Sequence, residues 1–261
     1  MPTLSHSGVD LAYVERGAGD PPMLFLHGMA CVKEHMDALV DAFAPNHRCV
    51  AFDLRGHGSS SVPEGAYATT DFMADIAAFI DDLGLDRPVL VGHSFGGSVS
   101  LAFAAAHPDR VRALVMLDSG LRSNATVNAD LNPFYDALRA ADAEQYRKIV
   151  EEFCLSRLFD LSVDDHSIAR DISAQMATVP AHVFLSMATT VTGFDSATSA
   201  RSCTVPSLII QSCQPFVDPA ALASLGDNWY DSKVVGSGHF IQVLVPDQVI
   251  PMMRRFLDLV V

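Results

Sequence analysis

The chain has 261 residues, of which 49% are hydrophobic and 18% charged, and its formal net charge is −14. That much apolar material can build a substantial core, which excludes a disordered chain. No basic stripe is available to neutralise phosphates, which excludes nucleic acid and anionic membrane surfaces as partners. Residues 9–14 read as a strand and 17–22 as a turn. Residues 23–26 form a short apolar strand that ends at His27-Gly28. Residues 33–43 have helical spacing, with Met36, Leu39, Val40 and Phe43 on one face. The next strand, 48–54, leads into Asp53-Leu-Arg-Gly-His-Gly58. Thr69 or Thr70 is placed to cap a helix running to Leu83, with Phe72, Ile76, Phe79 and Ile80 in its apolar stripe. A strand over 88–92, a helix over 95–106 and a strand over 111–117, ending at Asp118, come next. Residues 121 to 200 carry no strand signal and read as short helices near 133–141, 143–158, 164–178 and 180–191. The rhythm then resumes with a strand over 206–211, a helix over 219–225, a strand over 233–235, a loop at 236–240 and a last helix over 246–260.

Strands separated by helix-length segments, and near-continuously apolar themselves, imply a parallel sheet covered on both faces. The expected architecture is α/β: residues 1–120 and 201–261 form the sheet core, and 121–200 form a helical cap inserted into it. Ligands in such sheets bind beyond the carboxyl ends of the strands, where the polar residues of interest fall. Residues 1–13 lack the basic-then-apolar pattern of a signal peptide, and no apolar run is long enough to span a membrane. The five scattered cysteines form no Cys-x-x-Cys, so reduced thiols in a cytoplasmic protein are expected. A monomer or a homodimer is expected.

The chemistry centres on Val89-Leu-Val-Gly-His-Ser-Phe-Gly-Gly97. An apolar strand stops at Gly92, Ser94 stands at the apex of a turn, and a small-residue helix follows. Small residues two before and two after the apex keep strand and helix from colliding, and the hydroxyl is lifted clear of the sheet. Ser94 is therefore the candidate nucleophile. A serine hydroxyl needs a base, and a histidine has a pKa suited to that task. Of ten histidines, His239 is the best placed, on a Gly-flanked loop after the last strand. His93 reads as buried support and His57 as structural. No His-x-x-x-His or Cys/His cluster has metal-ligand spacing, and the glycines form no nucleotide fingerprint, so neither a metal nor another cofactor is expected.

These motifs taken in order resemble the α/β-hydrolase superfamily across essentially the whole chain. The order is His27-Gly28 after the third strand, Asp53-x-Arg55-Gly-x-Gly58 after the fourth, Gly92-His-Ser-Phe-Gly96, an insert after the sixth strand, and Gly238-His239. The resemblance implies a nucleophile–acid–histidine triad in that chain order. Its oxyanion hole would be made by the backbone N–H groups of Phe95 and Met29, beside Gly28, with His27 bracing the loop. The acid departs from the common pattern, because Gln214 occupies the position where most relatives carry it. Asp218 is the nearest downstream carboxylate but precedes a helix-like run and suits an N-cap. Asp118, at the tip of the strand after the nucleophile helix, is the preferred acid, with Asp218 as the alternative.

The insert is rich in apolar side chains, and Phe134, Met187 and His182 are its candidate substrate contacts. A largely apolar pocket roof suits a small-molecule substrate, a neutral and fairly hydrophobic carboxylic ester or lactone. A thioesterase or C–C bond hydrolase would use the same parts, although no Gly-Pro-Gly run follows His27-Gly28-Met29. A serine nucleophile speaks against dehalogenases and epoxide hydrolases, which use an aspartate. Cofactor-free oxygenation and ligand reception are the alternatives outside hydrolysis.

Overall fold

The computed structural model describes residues 1–261, apart from the side chain of Asn124. Eight strands form one sheet in the order β1-β2-β4-β3-β5-β6-β7-β8. The strands are β1 (Thr3–His6), β2 (Val9–Arg16), β3 (Met23–Leu26), β4 (Cys49–Phe52), β5 (Val89–His93), β6 (Ala113–Leu117), β7 (Ser207–Gln211) and β8 (Trp229–Lys233). β1 and β2 form a hairpin whose turn residues, Ser7 and Gly8, both have positive φ (50° and 77°), as a tight primed turn requires. β2 pairs antiparallel with β4, and every later pairing is parallel.

The alternation of side chains along the parallel strands sorts them onto two faces. Leu24, Leu26, Val50, Leu90 and Leu114 join one apolar cluster with α2 (Thr69–Asp82) and α3 (Phe95–Ala106). Met23, Phe25, Val89, Val91 and Val115 join the other, with α1 (Asp37–Phe43) and α11 (Pro246–Val260). α2 is capped differently from expectation. Ala68 is its N-cap, and the Asp71 carboxylate accepts the Ala68 N–H at 2.8 Å, so Thr69 and Thr70 lie within the first turn.

Between β6 and β7 the chain forms five helices: α4 (Asn124–Ala140), α5 (Ala143–Arg157), α6 (His166–Met176), α7 (Ala181–Gly193) and α8 (Ser196–Ser202). α4 begins nine residues before the expected start, since Pro133 sits inside the helix and not at its first turn. α8 was invisible to periodicity because Ser-Ala-Thr-Ser-Ala-Arg-Ser has no apolar stripe, and its start is fixed by Asp195 accepting the Thr198 N–H at 2.9 Å. Among the described residues the insert has no separate core: Phe134, Val150, Ile172 and Phe184 belong to the same cluster as Leu24 and Leu90. β8 lies at 229–233 and not at 233–235. It is an edge strand with no fully buried residue, so backbone pairing with β7 defines it and no apolar run does. α9 (Pro219–Ala223) lies between β7 and β8, and α10 (Ile241–Leu244) and α11 follow β8.

Candidate active site

Ser94 stands between β5 and α3 with φ 51° and ψ −118°, a backbone conformation that side chains rarely adopt. The surrounding glycines explain how this turn fits. A Cβ on Gly96 would lie 2.5 Å from the carbonyl oxygens of Leu26 and His27, and one on Gly92 would collide with Gly96 and Gly97. Strand and helix therefore approach more closely than any other residue allows, and Ser94 is left at the crest.

Asp118 follows β6 and is also strained, with φ 41°. It is fully buried, and its two oxygens have separate partners. Oδ2 lies 2.7 Å from His239 Nδ1, and Oδ1 accepts the Ser212 N–H at 2.7 Å. The tip of β7 thus contributes a backbone donor to the Asp118 carboxylate. Asp218 caps α9, accepting the Ala220 N–H at 2.9 Å, and Gln214 is exposed. Ser94, Asp118 and His239 line one cavity, and among the described residues no hydrogen bond joins Ser94 Oγ to His239. Hydroxyl-to-base contacts often close only when substrate arrives.

The loop after β3 is braced by two histidines. His27 Nε2 accepts the Leu54 N–H at 3.0 Å, and His57 Nε2 accepts the Ala30 N–H at 3.0 Å. Each acceptor role fixes the proton on Nδ1, where His27 donates to Gly28 O and His57 to Arg55 O. Burial holds His27 well below the ordinary histidine pKa and brings His57 down to about 4, so both rings are neutral braces. With Ala30 held at φ 58°, Gly28 and Met29 line the cavity opposite Phe95. Among the described residues the N–H groups of Met29 and Phe95 have no hydrogen-bond partner. Asp53 anchors the next loop, accepting from Lys33 Nζ at 2.8 Å and from the Lys33 and Ser59 N–H groups at 2.9 Å.

His93 adjoins Ser94, is fully buried and contributes to the cavity lining. Its Nε2 faces the His239 carbonyl at 3.1 Å, and burial keeps its pKa well below the ordinary value. His239 itself is packed between Phe216, edge-on at 5.0 Å, and the His93 ring at 4.6 Å.

The cavity lies at the carboxyl ends of β3, β5 and β6, under the insert. Phe134, Tyr135, Phe153, Phe184 and Phe194 line it from above, with Phe134 stacked on Phe153 at 3.9 Å. Arg122 is the single Lys or Arg among its lining residues, and its Nη1 is engaged by Asp130 at 3.0 Å. Arg122 and Phe216 also line a neighbouring surface cleft.

Two expected substrate contacts need correction. His182 is exposed and does not line the cavity, because it stands two residues, about 200° of helical rotation, from the inward-facing Phe184. Met187 is fully buried in the apolar cluster and also stays clear of the cavity. Phe216 and Thr190 were not marked as contacts by the sequence, since each lies in a segment whose direction only the tertiary structure sets.

A family model described as the alpha/beta hydrolase fold matches residues 21–244. The 2-(acetamidomethylene)succinate hydrolase of Mesorhizobium japonicum is 30% identical over an aligned length of 261 residues, covering 94% of this chain and 90% of that protein. The enol-lactonase of Burkholderia xenovorans superposes with a TM-score of 0.85 at 20% identity, covering 98% of this chain and 100% of the other. A thermophilic esterase from Thermogutta terrifontis gives a TM-score of 0.84 at 24% identity, covering 99% and 97%. These two likenesses speak for the fold alone. The family match over most of the chain, together with the serine crest between β5 and α3, leads to one conclusion: this chain belongs to the α/β-hydrolase fold family.

Proposed function

We propose that the protein is a serine hydrolase that cleaves a neutral, fairly hydrophobic carboxylic ester or lactone through an acyl-enzyme on Ser94. Ser94 Oγ attacks the carbonyl carbon while its proton passes to His239 Nε2. Asp118 holds the ring with its other proton on Nδ1 and offsets the transient imidazolium charge. The tetrahedral oxyanion takes hydrogen bonds from the Phe95 and Met29 N–H groups. Collapse of this intermediate breaks the bond to the leaving alkoxide, which takes the proton from His239. In a lactone the alcohol stays tethered to the acyl group. Water, deprotonated by His239, then attacks the acyl-enzyme and releases the carboxylate.

The observation that carries this reading is the 2.7 Å contact between His239 Nδ1 and Asp118, in the same cavity as the strained Ser94. The apolar roof supports a hydrophobic acyl or alcohol group. The test is hydrolysis of a panel of aryl esters and lactones by wild type and by Ser94→Ala. Turnover in wild type that disappears in the variant supports the reading, and turnover that survives in Ser94→Ala refutes it.

A second reading draws on the Asp118–His239 contact being made without the serine. The pair could then deprotonate an aromatic hydroxyl substrate for cofactor-free oxygenation. Oxygen uptake that survives Ser94→Ala is its signature.

A further inference from the structure

The histidine loop is held from above by the insert, at a place the chemistry described so far does not use. The His239 N–H donates to the Leu158 carbonyl at 2.7 Å. The Gly238 N–H donates to both oxygens of Asp164, at 3.0 and 3.1 Å. The Phe240 ring is stacked on Phe159, with centroids 5.0 Å apart and an interplanar angle of 13°. Three consecutive residues, 238 to 240, are therefore each bound to the segment that follows α5.

Asp164 is the polar centre of this clasp. Its residue is 5% exposed, and among the described residues no Lys or Arg pairs with it. Its Oδ2 also accepts the Asp160 N–H at 2.7 Å, so one carboxylate closes its own turn and grips the histidine loop. The glycine before His239 now has a physical reason. A Cβ on Gly238 would lie 2.5 Å from Asp164 Oδ2, 2.7 Å from the Leu158 carbonyl and 2.9 Å from the Asp160 nitrogen. Its φ is not in the left-handed region, so the requirement is for close approach and not for an unusual backbone.

We propose that Asp164 is a positioning residue for His239, and that the insert segment 158–164 forms the seat that keeps His239 Nδ1 on Asp118. This rests on the reading of His239 as the general base. Moving this segment away from the sheet would draw the histidine loop with it and open the 2.7 Å contact to Asp118. A general base shifted by about 1 Å loses roughly 10²-fold in rate, so the insert would gate chemistry as well as shape the pocket.

The test uses the full chain with Asp164→Ala, Asp164→Asn and Gly238→Ala. Asparagine can present its oxygen to the Asp160 and Gly238 N–H groups but sets an amide donor against Gly238 on the other side, so its effect should be intermediate. The expected result is a fall in kcat per active site of about 10- to 100-fold in Asp164→Ala, with KM changed less than about threefold. Active sites are counted with a serine-directed fluorophosphonate. A second readout needs no turnover. The proton shared by His239 and Asp118 should give a far-downfield NMR resonance, identified by its loss in Asp118→Asn, and this should weaken or move in Asp164→Ala. If Asp164→Ala does not fold, Asp164→Asn and Gly238→Ala are read in the same two ways. An unchanged kcat per site with an unchanged resonance overturns the proposal, even if the melting temperature drops. If no ester is cleaved yet the resonance collapses, the seat stands and the hydrolase reading falls. If wild type and variant cleave esters equally, the hydrolase reading stands and the seat falls.

Discussion

Replacing Asp118 by asparagine separates the two candidate acids, and the structure fixes how the new amide must sit. Oδ1 of Asp118 accepts from the Ser212 backbone, and Oδ2 faces His239 Nδ1. A backbone N–H cannot change its role, so the asparagine must keep its oxygen towards Ser212 and turn its NH2 towards His239. The imidazole then has to accept at Nδ1, which moves its proton to Nε2, the atom that should receive the Ser94 proton. The ring is left in the wrong tautomer with no base facing the serine. Shape and packing are otherwise preserved, because the site is fully buried and the exchange is isosteric. In a serine protease the equivalent exchange costs about 10⁴ in kcat, or about 5.5 kcal/mol of transition-state stabilisation. Asp218→Asn removes only a charge from a helix cap, and asparagine caps as well as aspartate does, so turnover should change by less than about threefold. The assay is steady-state cleavage of an activated aryl ester, with active sites titrated and the melting temperature recorded for each variant. Equal and mild losses in the two variants, or a larger loss in Asp218→Asn, would refute the reasoning.

Two further predictions follow from the buried histidines. His57→Ala strips the Ala30 N–H of its acceptor and frees the loop that presents Met29. The expected cost is about 1–3 kcal/mol of stability and roughly 10² in kcat per active site, with KM little changed, and an unchanged kcat would show that His57 does not govern the oxyanion loop. Burial also depresses four histidines: His35 and His57 to about 4, and His27 and His93 well below their ordinary value. A depressed folded pKa means that the unfolded chain binds protons the folded chain refuses. The associated stability is complete above pH 6.5 and is lost as pH falls towards 4. Each such histidine contributes a slope of about 1.4 kcal/mol per pH unit within that window. Chemical denaturation at pH 7, 6 and 5 should show stability falling steeply, and a flat profile would mean that these rings are not buried neutral.

The strands that position the chemistry were legible because they are central and buried on both faces, so Met23 to Leu26, Val89 to Val91 and Ala113 to Leu117 are continuous apolar runs. The Ser94 turn was legible because a crossing this close admits only glycine at 92, 96 and 97. β8 was misplaced because Trp-Tyr-Asp-Ser-Lys is an edge strand, and such a strand needs no apolar period. The choice between Asp118 and Asp218 could be framed from local sequence, but the partners of the Asp118 carboxylate, Ser212 and His239, stand 94 and 121 positions away. Asp164 carried no signal. It sits beside Asp165, which caps α6 through the Ser167 and Ile168 N–H groups, and the pair reads as an ordinary solvated helix start. Only the fold shows that one of the two faces Gly238. His182 failed for a related reason, since helix periodicity gives the spacing of a face but not which face meets the cavity.

The placement of Asp118 at the tip of β6 divides the candidate site into rigid and suspended parts. β5 and β6 are neighbouring central strands, paired through His93 and Leu117, so Ser94 and Asp118 are the next residues on each. The Ser94 N–H donates to the Leu117 carbonyl at 3.0 Å, and the Asp118 N–H to the Ile210 carbonyl at 2.8 Å. Ser94 and Asp118 are thus tied to the sheet itself, each with a positive φ that only a fully packed neighbourhood can hold. The histidine has no such anchor. It stands on a loop between an exposed edge strand and a one-turn helix, and its support comes from His93 below, Asp118 beside it and the insert above. An acid on the tip of β7 would have left the histidine bridging two loops. On β6 it gives the histidine one fixed reference, and the remaining freedom is the distance between the insert and the sheet. Variation in the insert that leaves the apolar roof intact but alters residues 158–164 should therefore change kcat before it changes substrate choice.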